Sequence, residues 1–162
     1  KYIGTPYRRG SKGPNRFDCS GFTQYIFNHF SYSLNASSAS QYLQGISVKD
    51  EEICRGDLVF FKGRNSRRSN VGHVGLVTEV YPDGRFKFIH ASTSQGIRED
   101  WNFSPYYAQR YVGARRIYFV QIDKRLILDA ILELEDIDDN TPFTETEKSI
   151  TPQEFSTFVR AE

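Results

Sequence analysis

The chain contains no methionine, one tryptophan and two cysteines in 162 residues. Each scarcity excludes something. Cys19 and Cys54 are too few for a disulfide framework, although spacing alone leaves a single bridge between them open. No run comes near the roughly 18 uninterrupted apolar residues of a membrane helix, so a soluble chain without an integral membrane segment is expected. The missing Met suits a chain that begins after a removed export segment or at an arbitrary boundary; no signal segment is legible at its start. Neither C-x-x-C nor H-x-x-x-H occurs, which argues against a zinc site. Gly10-Ser11-Lys12-Gly13-Pro14 has no Walker pattern and follows no strand, so nucleotide chemistry is unsupported. Neither a metal nor an organic cofactor is expected.

Abundant Phe and Tyr, at 13 and 10 residues, suit an aromatic core with sheet content. The length suits one folded unit. The net charge of +1 conceals a division: residues 1–119 hold 17 Lys/Arg against 9 Asp/Glu, whereas residues 120–162 hold 4 against 11. A basic body thus precedes an acidic tail. Such a body attracts an anionic polymer, or is simply a solvated face.

The Gly-, Pro- and Arg-rich segment 1–14 reads as a loop leading to a chemical site. Phe22, Tyr25, Ile26 and Phe30 then recur at helical spacing, predicting a one-faced helix that begins at Asp18-Cys19-Ser20. A second short helix is expected around Gln41-Tyr42-Leu43, after a Ser-rich loop. Asp57–Phe61 reads as a buried strand. Segments 72–81 and 86–92 are β-prone and joined by Pro82-Asp83-Gly84, a hairpin signal, and 113–120 reads as a closing strand. Helix first and antiparallel strands after it predict an α+β fold with the helix packed on the sheet. The expected organisation is one domain over 1–120 followed by an acidic, helical extension over 121–162.

A thiol attacks as its thiolate, and a helix N-terminus favours that anion, so Cys19 is a candidate nucleophile. Gly21 leaves room for close backbone approach, and a free N–H nearby would help hold an oxyanion. The plain alternative is a small buried hydrophobe. His73 and His90 fall on the two arms of the hairpin, where one imidazole can take the thiol proton while the other orients it; taken singly, either is an ordinary polar strand residue. Their spacing carries a geometric condition. Direct opposition needs a bulge near Gly84; without one the rings are staggered along the sheet. His29, near the helix end, has no assigned role, and Cys54 reads as structural.

Phe17-Asp18-Cys19-Ser20-Gly21-Phe22, Gly56-Asp57-Leu58-Val59-Phe60-Phe61, His73-Val74-Gly75-Leu76 and Phe88-Ile89-His90-Ala91-Ser92, in this order, resemble the NlpC/P60 family of papain-like cysteine peptidases. Gly4-Thr5-Pro6-Tyr7 and Gly113-Ala114-Arg115-Arg116 extend the resemblance over nearly all of residues 3–119. It implies Cys19 as nucleophile, His73 as base and then acid, and His90 as the residue that orients His73. It also implies substrate contacts by Tyr7, Asp18, Ser20 and Ser38. The implied activity is endopeptidase cleavage of peptidoglycan stem peptides or muropeptides, at the γ-D-glutamyl bond to a diamino acid, in an exported envelope protein; the sequence does not disclose the oligomeric state, a monomer being the default expectation. No nucleic-acid partner is implied. Many relatives have an Arg in the segment after the first helix, and Ala36 stands in that place. Losing that planar donor bears on substrate choice. Two other readings are an amidase or acyltransferase with the same thiol, and a catalytically silent wall-binding module.

Overall fold

The computed structural model describes residues 1–64 and 70–118, all of them within the first unit of the chain, Lys1–Phe119. The expected acidic extension over 121–162 lies outside the described residues. Helix α1 spans Cys19–Asn28 and α2 spans Ser38–Gln41. Strands β1 (Ile46–Val48), β2 (Leu58–Lys62), β3 (Val71–Val80), β4 (Phe86–Ser92) and β5 (Gly96–Trp101) follow, then α3 (Pro105–Ala108) and β6 (Tyr111–Arg116). All strand pairings are antiparallel, in the order β1-β6-β2-β3-β4-β5. The fold is α+β, with α1 packed on β3 and β4.

Alternation along the strands divides the core between the two faces of the sheet. Leu58, Phe60 and Val74 meet Phe27 and Leu34, while Ala91 and Ile97 meet Phe17 and Phe22. Val59, Phe61, Val77, Phe86, Phe88 and Ala114 form the other face, which Tyr107 and Tyr111 partly cover. Each buried Phe contributes about 1.5–3 kcal/mol of transfer free energy. Asp57, 1% exposed, accepts from Arg116 Nε at 2.8 Å and Nη2 at 2.9 Å, and from the Cys54 N–H at 2.9 Å. This bidentate pair ties the start of β2 to the end of β6.

Two expectations about the elements need correction, and two strands were not expected at all. The second helix starts at Ser38, because Ser37 and Ser40 form a reciprocal capping box. The closing strand, Tyr111–Arg116, starts before the expected 113, since Phe61 pairs with Tyr111 across an irregularity, and residues 119 and 120 of the expected span lie outside the described residues. Strand β1 is too short and too exposed to show a pattern in sequence. Strand β5 was masked by Arg98-Glu99-Asp100, charges that an edge strand tolerates.

Candidate active site

Asp18 caps α1, accepting the Gly21 N–H on Oδ1 at 2.6 Å and the Gly10 N–H on Oδ2 at 2.8 Å. Cys19 is therefore the first helical residue, as the periodicity predicts. The loop before it is pinned by Arg8 N–H to Phe17 O, Asp18 N–H to Ser11 O and Ile97 N–H to Thr5 O, each at 2.9 Å. Gly21 is needed there because a Cβ would collide with the Ser11 carbonyl. Its N–H is held by Asp18 and is not free for an oxyanion.

The hairpin register runs Val80↔Phe86, Glu79↔Lys87, Val77↔Phe88 and Leu76↔Ile89, with an irregularity at Thr78. Continued by one pair, it sets Gly75 across from His90, so the two His residues are staggered. Diagonal neighbours on one sheet face remain within reach of long side chains. His73 Nε2 and His90 Nδ1 lie 2.9 Å apart. Gly75 makes this possible, since a Cβ there would stand 2.6 Å from Phe88 Cδ2 and 3.3 Å from His90 Cβ.

Cys19, His73 and His90 all line one cavity of about 690 Å³, within the size range of small-ligand sites. The Val74 N–H, adjoining His73 in the chain, is among the groups that would stabilise a Cys19 thiolate. Burial and the neighbouring Asp18 outweigh them and raise the thiol pKa above its ordinary 9.0. The helix-terminus expectation of a lowered pKa is thus overridden by desolvation. Burial, then the adjacent His90 ring, lowers His73 from 6.5 to about 3. His90 is also lowered, by burial against an opposing pull from Asp100. Both shifts favour the neutral forms of the thiol and the imidazole.

Of the four expected substrate contacts, Tyr7 lines the cavity. Asp18, Ser20 and Ser38 do not. Ser20 is buried and donates to the Ala36 carbonyl at 2.9 Å, and Ser38 is buried at the start of α2. The Lys12 ammonium donates to the same carbonyl at 2.8 Å and lies 3.7 Å from Asp18 Oδ1. A cation from the first loop thus reaches the Ala36 segment. Cys54 is exposed and, like Cys19, free, so it fills no apolar position and no bridge joins the two.

Sequence reasoning missed several lining residues. Asp100 Oδ2 lies 2.8 Å from His90 Nε2, and Tyr107 Oη lies 3.2 Å from the same nitrogen. Arg98, directly across from His90, pairs with Asp100 Oδ1. Lys62, Arg64 and Arg110 add further positive charge to the wall. The one available signal was alternation in Arg98-Glu99-Asp100, which sets the first and third on one face. Among the described residues no group of three His, Cys, Asp or Glu is disposed to hold a metal ion, and no helix is long and apolar enough to cross a membrane.

The model of the NlpC/P60 family matches residues 4–116, a span that includes every residue of this cavity. The chain belongs to the NlpC/P60 family. It is 36% identical over 115 residues to murein DD-endopeptidase MepS/murein LD-carboxypeptidase of Escherichia coli K12, covering 70% of this chain and 56% of that protein. It is 32% identical over 126 residues to the γ-DL-glutamyl hydrolase of Bacillus subtilis, covering 76% of this chain and 29% of that protein. The crystal structure of a NlpC/P60 family protein from Bacillus cereus superposes with a TM-score of 0.63 at 30% identity, over 71% of this chain and 36% of that one. The chain spans between 14% and 69% of the length of several curated relatives it matches.

Proposed function

We propose that the chain is a cysteine peptidase of cell-wall stem peptides, with Cys19 as nucleophile, His73 as general base and then acid, and His90 as the group that orients His73. The observation that carries the reading is the shared cavity, where a helix-terminal thiol and a hydrogen-bonded imidazole pair converge. His73 takes the thiol proton as the sulfur attacks the amide carbon. The resulting oxyanion is favoured by the backbone N–H of Cys19 at the start of α1. Collapse expels the amine, which receives the proton from His73 and leaves an acyl-thioester. Water, giving a proton to His73, then attacks the thioester and frees the thiol.

Lys62, Arg64, Arg98 and Arg110 favour a substrate with carboxylates, as wall stem peptides have. The finer reading is cleavage of the γ-D-glutamyl bond to a diamino acid, in an exported envelope protein. Relatives named for a γ-DL-glutamyl hydrolase and for a murein endopeptidase support wall amides as the class. Incubating muropeptides with the protein and with Cys19→Ala, followed by mass analysis, tests this. Fragments differing by one hydrolysed γ-D-glutamyl bond, absent with the variant, are expected. Release of no fragment from any stem peptide overturns the substrate assignment.

A further inference from the structure

His90 is fully buried, yet both of its nitrogens have partners across the sheet: His73 Nε2 at Nδ1 and Asp100 Oδ2 at Nε2. A neutral imidazole carries one proton, so these two contacts cannot be set independently. An ionised Asp100 only accepts, which requires the proton on His90 Nε2. His90 Nδ1 is then an acceptor and takes the Nε2–H of His73. The lone pair of His73 is thereby left on Nδ1, its nitrogen outside the chain of hydrogen bonds and the one available to a thiol.

The reverse arrangement is equally neutral and has the opposite consequence. With its proton on Nδ1, His90 would donate to His73 Nε2, and His73 would carry its proton on Nδ1. That ring cannot accept a proton from Cys19 through Nδ1. The choice between a competent and an incompetent base therefore lies two hydrogen bonds away from it. We infer that Asp100 is a positioning residue that sets the tautomers of His90 and His73, with Arg98 and Tyr107 holding it in place.

The surroundings fix which oxygen of Asp100 faces the imidazole. Arg98 faces His90 directly on β5 and pairs with Asp100 Oδ1, leaving Oδ2 for the imidazole. Tyr107, from α3, packs its ring edge-on to His90 at 5.3 Å and stacks on His73 at 6.4 Å, and its hydroxyl interacts with Asp100. Among the described residues, His73 from β3, Arg98 and Asp100 from β5 and Tyr107 from α3 are thus the titratable groups that face His90. Phe88 and Phe61 fill the remaining space against the rings. In this low-dielectric setting an oriented carboxylate acts on the imidazole more strongly than it would in water.

This inference rests on the peptidase reading, and the experiment separates the two. Long-range nitrogen–proton spectra of 15N-labelled histidine in the full chain report which ring nitrogen is protonated. The wild type is expected to show Nε2–H on both His73 and His90, and Asp100→Glu to retain that pattern. Asp100→Asn can donate its amide proton to His90 Nε2 and is expected to invert both rings. Its kcat on muropeptides should fall at least about tenfold, short of the 10²–10⁴-fold effect of general acid–base catalysis as a whole, while KM is little changed. Nδ1–H on His73 in the wild type overturns the assignment without recourse to any variant. So does an Asp100→Asn protein with wild-type tautomers and kcat. If Cys19→Ala hydrolyses as fast as wild type, the peptidase reading itself fails; if only Asp100→Asn behaves as wild type, the failure belongs to Asp100 alone.

Discussion

Protonation of His73 is the perturbation most directly tied to the cavity. Burial and the adjoining His90 ring hold its pKa at about 3 in the folded chain, against 6.5 unperturbed. At pH 4 the unfolded chain carries a proton on this ring and the folded chain does not. The unfolded state then binds more protons, so stability is complete above pH 6.5 and declines as pH falls through the window towards 3. Each unit of that window is worth about 1.4 kcal/mol. Between pH 6.5 and pH 4 the full linkage reaches about 3.4 kcal/mol, which partial exposure of the ring reduces to about 2–3 kcal/mol. Urea unfolding of wild type and His73→Gln at pH 7 and pH 4 measures it, because carboxylates common to both proteins cancel in the comparison. The wild type should lose about 2–3 kcal/mol more than the variant over this interval. Equal losses would refute the reasoning, as would a His73 nuclear resonance titrating with an ordinary midpoint. Either result would mean that the imidazole is solvated or already charged, and that a neutral base does not await the thiol.

Other outcomes follow from the same geometry. Alkylation of Cys19 by iodoacetamide should be slow near neutral pH and keep rising beyond 9.0, because burial and Asp18 disfavour the thiolate; a rate plateau below pH 7 would contradict this. Gly75→Ala forces a methyl to within 2.6 Å of Phe88, and should lower stability by about 1–3 kcal/mol and kcat with it. A Gly75→Ala protein of wild-type stability and rate would show that the His90 position does not depend on that gap. Arg116→Ala leaves the Asp57 carboxylate buried without its bidentate partner and should lower stability by about 3 kcal/mol, read by thermal or urea unfolding; a loss below about 1 kcal/mol would mean that water replaces the guanidinium.

Asp18, Cys19 and the apolar positions of α1 were legible because a helix start is written locally: a capping side chain, then apolar residues at 3.6-residue spacing. The β3–β4 hairpin was legible for a similar reason, since Pro82-Asp83-Gly84 favours a turn whatever surrounds it. Its register was less so. A bulge at Thr78 leaves no sequence signature, yet whether His73 and His90 meet side by side or diagonally depends on the alignment of the two strands. Asp100 and Tyr107 were invisible because nothing local distinguishes them from solvated surface residues. Only the pairing of β5 with β4, and the fold of α3 over the open sheet face, brings them to His90.

The order of local motifs along the chain therefore carried the helix terminus, the hairpin, the pair of histidines and the membership of the NlpC/P60 family, all features set by neighbours a few residues apart or by their linear sequence. Tertiary structure alone decided the electrostatics. The thiol pKa rises although its helix position argues for a fall, because desolvation depends on what closes over the sulfur. The partners of His90 and the basic cavity wall come from segments distant in sequence, and their distances to one another exist only once the sheet has formed.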